Sequence, residues 1–143
     1  MTKDILSEIL TKIRNAIYIK QDGIKVPKTR ITQDLAYILI QEGLVKEILI
    51  SLPIRHEKRA FIFLRLKYYD PKNISVIISL QRVSRSNLRI YIGQGKVQKI
   101  LGDSGLTILS TSQGLMTDRE ARYRKLGGEI ICFIYLLMKV RSS

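Results

Sequence analysis

Between Asp4 and Ile17 the apolar positions Ile5, Leu6, Ile9, Leu10, Ile13 and Ile17 return every three or four residues, and Lys12 and Arg14 fall off that stripe. Such a period predicts an amphipathic helix with one buried face. Gly23 to Val26 reads as a short strand and Pro27 to Thr29 as a turn. A second helix is expected over Ile31 to Glu42, with Leu35, Ile38 and Leu39 turned to the core. Gly43 stops it, because glycine takes the left-handed terminal conformation at little cost. Two β-rich runs follow, Leu44 to Leu52 and Ala60 to Tyr68, separated by the polar stretch Pro53 to Arg59, which suits an expanded hairpin loop.

Tyr69-Asp70-Pro71-Lys72-Asn73 carries turn residues without periodicity, so the domain boundary is placed there, giving units 1–70 and 71–143. Beyond it, Ile74, Val76, Ile78 and Leu80 alternate with Ser75, Ile77, Ser79 and Gln81, the period of a strand. Arg82 to Asn87 turns the chain, and strands are expected at Leu88 to Ile92, Leu106 to Ser110 and Glu129 to Leu137, with one helical turn at Lys96 to Leu101. Thr117 and Glu120 have capping-box spacing: the Thr hydroxyl accepts from the third helical N–H while the Glu reaches back to the cap. A helix of about ten residues is therefore expected from Thr117 to the Gly127-Gly128 pair. The fold class is α+β: an N-terminal two-helix domain packed on a small three-stranded sheet, then a mostly β C-terminal domain with one or two short helices.

Composition narrows the function. The 143 residues hold 25 Lys plus Arg against 12 Asp plus Glu, a net charge of +13, and 45% are hydrophobic, enough for a packed core. Residues 71–102 carry Lys72, Arg82, Arg85, Arg89, Lys96 and Lys99 with no acid among them. An excess of this size repels itself in a compact state and is relieved by a polyanion, so nucleic acid is the first partner expected. Asp4, Glu8, Lys12 and Arg14 interrupt the N-terminal apolar residues, which argues against a secretory signal, and the two acids argue against a transit peptide. The C-terminal apolar run Ile130 to Met138 is far short of the roughly 20 residues a spanning helix needs. A soluble protein with no membrane partner is expected.

Catalytic chemistry finds little to work with. His56 is the sole histidine and Cys132 the sole cysteine; the latter lies in the apolar run Ile130-Ile131-Cys132-Phe133-Ile134, where a buried, inert thiol is expected. Disulfides, a Cys–His nucleophile and a zinc site are excluded on these counts. Gly93-Gln94-Gly95-Lys96 lacks Walker spacing and is followed by Val97 where a hydroxyl is required, so it reads as a turn. No cofactor, metal or small-molecule substrate is expected, and the chain reads as non-enzymatic. A hydrolase using a serine of the run Ser110-Thr111-Ser112 has no neighbouring His or Lys base.

That hydroxyl run, followed by Gly114, reads structurally as a turn and functionally as a contact loop whose small side chains let RNA approach and exchange hydrogen bonds with base edges and 2′-hydroxyls. Asp118 and Glu120 occupy the start of the helix behind it and repel anions, so phosphates fall to the surrounding Arg and Lys.

The segment from Ser110 through Gly114 to Ala121, followed by Gly127-Gly128-Glu129-Ile130-Ile131-Cys132, resembles the signature of small-subunit ribosomal protein eight of the bacterial and plastid type. Asp4-Ile5 and Leu10 to Ala16 are similar to the family's opening helix, and Gln81 to Arg85 with Leu88 to Tyr91 to its central strand pair. The resemblance covers nearly the whole chain and is weakest over 52–73. It implies a two-domain protein that binds the central domain of 16S-type rRNA early in assembly and touches neighbouring small-subunit proteins such as protein five. Contacts would then fall on Ser110, Thr111 and Ser112 and on Tyr91 and Glu129 flanking them; Gly114 of the turn and Arg82 and Arg85 of the basic segment complete the expected RNA-binding set. A second, N-terminal RNA-facing surface would use Thr11, Arg14, Asn15, Lys28, Thr29 and Arg30. A regulatory role on a messenger helix that imitates the ribosomal site is the alternative function.

Departures from the family pattern are Gln113 where a basic residue is usual, Ser86-Asn87 in place of a Pro-Gly turn, and Leu136 to Ser143 running past the usual aromatic end. Isoleucine fills roughly one position in six, which fits an AT-rich genome such as a plastid's. A chloroplast ribosome is therefore expected, with the bacterial cytoplasm as the alternative.

Overall fold

Leu6, Ile9, Leu10, Ile13 and Ala16 lie along one face of the first helix, α1 (Thr2–Tyr18), and all five are buried. A computed structural model of the chain describes residues 2–51, 59–69, 74–85, 87–97 and 105–137. After α1 come β1 (Gly23–Pro27), α2 (Arg30–Gln41), β2 (Val45–Ser51), β3 (Phe61–Leu66), and the two-residue strands β4 (Tyr68–Tyr69) and β5 (Ile74–Ser75). The second half contributes β6 (Ile77–Arg82), β7 (Tyr91–Ile92), β8 (Gly105–Thr111), β9 (Gly114–Thr117), α3 (Asp118–Tyr123) and β10 (Gly128–Leu136). The α+β class is the one expected.

The chain divides into two compact units, Met1–Val76 and Ile77–Ser143. The hairpin of β4 with β5 stays with the first unit, so the division falls after Val76. In that unit β1, β3 and β2 form an antiparallel sheet in that order. Ile62, Leu64 and Leu66 alternate onto the buried face of β3, while Leu35, Ile38 and Leu39 supply the buried face of α2. Gly43, at φ +75°, ends α2 as its sequence position predicts. Two threonines cap the other end: the Thr29 hydroxyl accepts from the Thr32 N–H (3.1 Å) and the Thr32 hydroxyl accepts from the Thr29 N–H (2.7 Å). Threonine here does what glutamate does in the commoner box.

The second unit is a five-stranded sheet in which β10 lies between β6 and β8, β9 follows β8, and β7 also pairs with β10. Several expectations need correction. The alternation over 74–81 breaks, because β6 bulges against β10: Leu136 faces Ile77 but Tyr135 faces Ser79, leaving Ile78 as the extra residue. Ile77 and Leu80 are consequently buried and Ile78 is exposed. The strand expected over Leu88 to Ile92 is only Tyr91–Ile92, because Arg85 and Leu88 close a tight turn through two backbone hydrogen bonds (2.8 and 3.0 Å).

The helix expected to run to Gly127 spans six residues. Lys125 takes the left-handed conformation (φ +59°), with its N–H donating to the Arg122 carbonyl and the Leu126 N–H to that of Ala121. Those two bonds are the Schellman ending, with lysine at the position glycine usually fills. Thr117 caps the helix as expected by accepting from the Glu120 N–H (3.2 Å), but the Glu120 carboxylate turns to Arg124 (2.7 Å) rather than back to the cap. Most of the Pro53 to Arg59 loop, of the Lys96 to Leu101 turn and of the Leu136 to Ser143 extension lies outside the described residues, as does His56.

Candidate nucleic-acid interface

At the start of β10, Glu129 is paired with Tyr91 on β7 and with Ser110 on β8, and Ser110 in turn faces Leu115 on β9. Residues directly opposed in antiparallel strands share a face. Tyr91, Glu129, Ser110 and Leu115 therefore form one row across four strands. The adjacent row of Ile130, Leu109 and Met116 faces the other way, into a core shared with Val97 and Ala121. Burial grades along the row: Glu129 is 9% exposed, Ser110 half-buried and Tyr91 64% exposed.

Two glycines make this row possible. A Cβ on Gly128 would stand 2.4 Å from the Ser110 carbonyl oxygen, and one on Gly127 would stand 2.5 Å from that of Ile92. Only chains without a side chain approach so closely. The pair read from sequence as the end of a helix instead seats β10 between β7 and β8.

Beside the row, Thr111 to Gly114 turn β8 into β9 through the two residues Ser112 and Gln113. The Thr111 hydroxyl donates to the Gly114 carbonyl (2.9 Å) and accepts from the Gln113 N–H (3.1 Å). Both of its hydrogen-bonding directions serve the turn, and Gly114 supplies the positive φ (+102°). Ser112, at the tip, is exposed. Gln113 is bound from outside the turn, its Oε1 accepting from Arg124 Nη1 at 2.9 Å. No local spacing announces that bond, since the partners belong to different elements.

The strand pair from 82 to 92 is fastened by one buried serine. Ser84 accepts from the Ile90 N–H (2.9 Å), and the Ile90 carbonyl accepts from the Ile130 N–H (2.8 Å). Arg82 is half-buried, and its Nε donates to the Ser84 carbonyl at 2.6 Å. Arg85 and Arg89 remain exposed. Cys132, opposite Arg82, is buried among apolar neighbours, and that burial pushes its thiol from 9.0 up to about 12, against a smaller lowering by Arg82. It is buried, as its apolar run predicts. Among the described residues no group of three metal-ligating side chains occurs, and no helix is long and apolar enough to cross a membrane.

In the first unit, Thr11, Arg14 and Asn15 are exposed on α1 at helical spacing, and the stripe continues to Tyr18, 88% exposed. Lys28 and Arg30 are exposed on either side of Thr29, whose hydroxyl is held in the cap of α2.

The family model described as Ribosomal protein S8 matches residues 4–135. The chain belongs to the ribosomal protein S8 family. Small ribosomal subunit protein uS8c of Physcomitrium patens is 42% identical over 137 residues, covering 94% of this chain and all of that protein. The uS8c protein of Marchantia polymorpha is 41% identical and uS8 of Thermodesulfovibrio yellowstonii 40%, each over 135 residues with the same coverage. The resemblance read from the hydroxyl segment is thus correct at family level. Ribosomal protein S8 is a structural, non-enzymatic family, which removes the hydrolase reading of Ser110. The family match ends at Tyr135, one residue before the C-terminal extension.

Proposed function

We propose that the chain is a structural constituent of the small ribosomal subunit that binds the central domain of 16S-type rRNA directly and promotes its folding during assembly. The observation that carries this reading is the row Tyr91–Glu129–Ser110 beside the exposed tip at Ser112. Glu129 can accept hydrogen bonds from base amino groups or 2′-hydroxyls, Ser110 and Ser112 can donate or accept at short range, and Tyr91 offers a ring for stacking. Thr111 and Gly114 shape the turn, so their backbone groups would meet the RNA while the Thr111 hydroxyl holds the turn. Arg85, with Arg14, Asn15, Thr11, Lys28 and Arg30 of the first unit, would neutralise phosphates or contact the RNA backbone.

Arg82 serves the interface by holding the Ser84 turn. Thr29 serves by ordering Lys28 and Arg30 at the start of α2. Neighbouring ribosomal proteins are the further partners. Plastid uS8c and bacterial uS8 relatives match equally well, and the isoleucine content supports a plastid ribosome.

The test is a titration of the purified chain with a central-domain rRNA fragment and with a scrambled hairpin of equal length, each at several salt concentrations. A cognate preference of about 10³ or more that persists at high salt is expected. Equal, steeply salt-dependent binding to both RNAs would refute the reading.

A further inference from the structure

The buried side of α3, Asp118 and Ala121, leaves Arg119, Arg122 and Tyr123 on the other side at spacings of three and four residues. All three are exposed, and the Tyr123 ring is 83% exposed. Lys125 follows, exposed and in the left-handed conformation. Arg124 bends the other way, bonding Glu120 at 2.7 Å and Gln113 at 2.9 Å. That guanidinium joins α3 to the turn that carries Ser112. The result is an aromatic face flanked by cations and continuous with the hydroxyl turn.

A large ring left in water among arginines suits one chemistry well. Base–aromatic stacking tolerates any base, and adjacent guanidinium groups take the phosphates on either side. We infer that the outer face of α3 holds an unpaired nucleotide of the bound RNA, with Tyr123 stacked on its base and Arg119 and Arg122 on the flanking phosphates. The inference rests on the RNA-binding reading of the hydroxyl turn and extends it to a second, sequence-tolerant contact. An acidic protein segment would satisfy the charge but has no use for the ring.

The chain contains no tryptophan, so Tyr123→Trp in the full-length protein introduces a single indole whose fluorescence reports stacking. The probes are the central-domain fragment, an octauridylate and polyglutamate. Quenching by both RNAs and none by polyglutamate is expected, and Tyr123→Ala should weaken octauridylate binding about 5- to 20-fold, as loss of one stacked base does. An unquenched indole, an octauridylate affinity unchanged by Tyr123→Ala, or equal quenching by polyglutamate would overturn the inference. The two readings separate on the scrambled hairpin. Preference for the cognate fragment with an unquenched indole removes the α3 contact alone. Quenching without preference keeps the α3 contact and removes the specific readout.

Discussion

In the C-terminal unit Tyr91, Glu129 and Ser110 are set side by side by strand register, whereas in the N-terminal unit Thr11, Arg14 and Asn15 share only the outer face of a helix. Register fixes which backbone positions of the first set stand opposite one another. The second set is exposed on one helix, with no cross-strand pairing to set its members against one another. A register-set array of donors and acceptors suits discrimination between RNAs, and an exposed polar face with Arg14, near the cations Lys28 and Arg30 in sequence, suits attraction to any phosphate backbone. The two units differ again in their hydroxyls. Thr29 and Thr111 both spend their hydroxyls on local structure, but Thr111 does so to expose Ser112 at its side, while Thr29 exposes two cations.

Substitutions can sharpen that contrast. Gly128→Ala should act most strongly: a methyl group 2.4 Å from the Ser110 carbonyl forces β10 and β8 apart, with a loss of about 3 kcal/mol in urea unfolding and loss of cognate preference in what still folds. Ser112→Ala should cost about 2 kcal/mol of cognate affinity with an unchanged thermal midpoint, since the side chain is exposed at the turn. Thr29→Ala should act mainly on the fold, lowering stability by about 1 kcal/mol through the lost cap, with a smaller fall in affinity per folded molecule that is equal for cognate and scrambled RNA. Arg14→Ala and Arg85→Ala should each weaken cognate and scrambled RNA alike and reduce the slope of log affinity against log salt by about 1. Lys125→Gly should give the smallest change, a gain of about 0.5 kcal/mol as the left-handed position loses its Cβ, read as a raised thermal midpoint.

Elements governed by local pattern were legible. The α1 stripe, the Leu35, Ile38 and Leu39 face, the Gly43 stop and the strand around Leu106 to Ser110 follow from periodicity and one glycine. What needed a distant partner was not. The exposure of Ile78 depends on a bulge opposite Tyr135 and Leu136, and the closeness of Gly128 to Ser110 depends on β10 reaching back to β8. Lys125 ended α3 early because helix termination there is settled by the Leu126 and Ala121 packing that accompanies the Schellman bonds, not by where the next glycine falls.

Among the members of the candidate interface, the hydroxyl run is legible from its own residues and Tyr91 and Glu129 from the family resemblance, but nothing in the order of the residues shows that Tyr91, Glu129 and Ser110 are neighbours across three strands. The Thr29–Thr32 box did have a local signal, two hydroxyl residues three apart before an apolar stripe. Arg124 had none, because its bond to Gln113 joins a helix to a hairpin tip.

The most direct test compares two double variants by their ratio of cognate to scrambled RNA affinity: Ser112→Ala with Glu129→Gln, and Arg14→Ala with Lys28→Ala. The first pair should collapse the ratio by about 10²-fold or more while leaving salt-dependent binding to the scrambled hairpin in place. The second pair should lower both affinities and keep the ratio. A ratio that falls equally in both, or only in the second, would contradict the division between a register-built reader in the second unit and cationic contacts in the first.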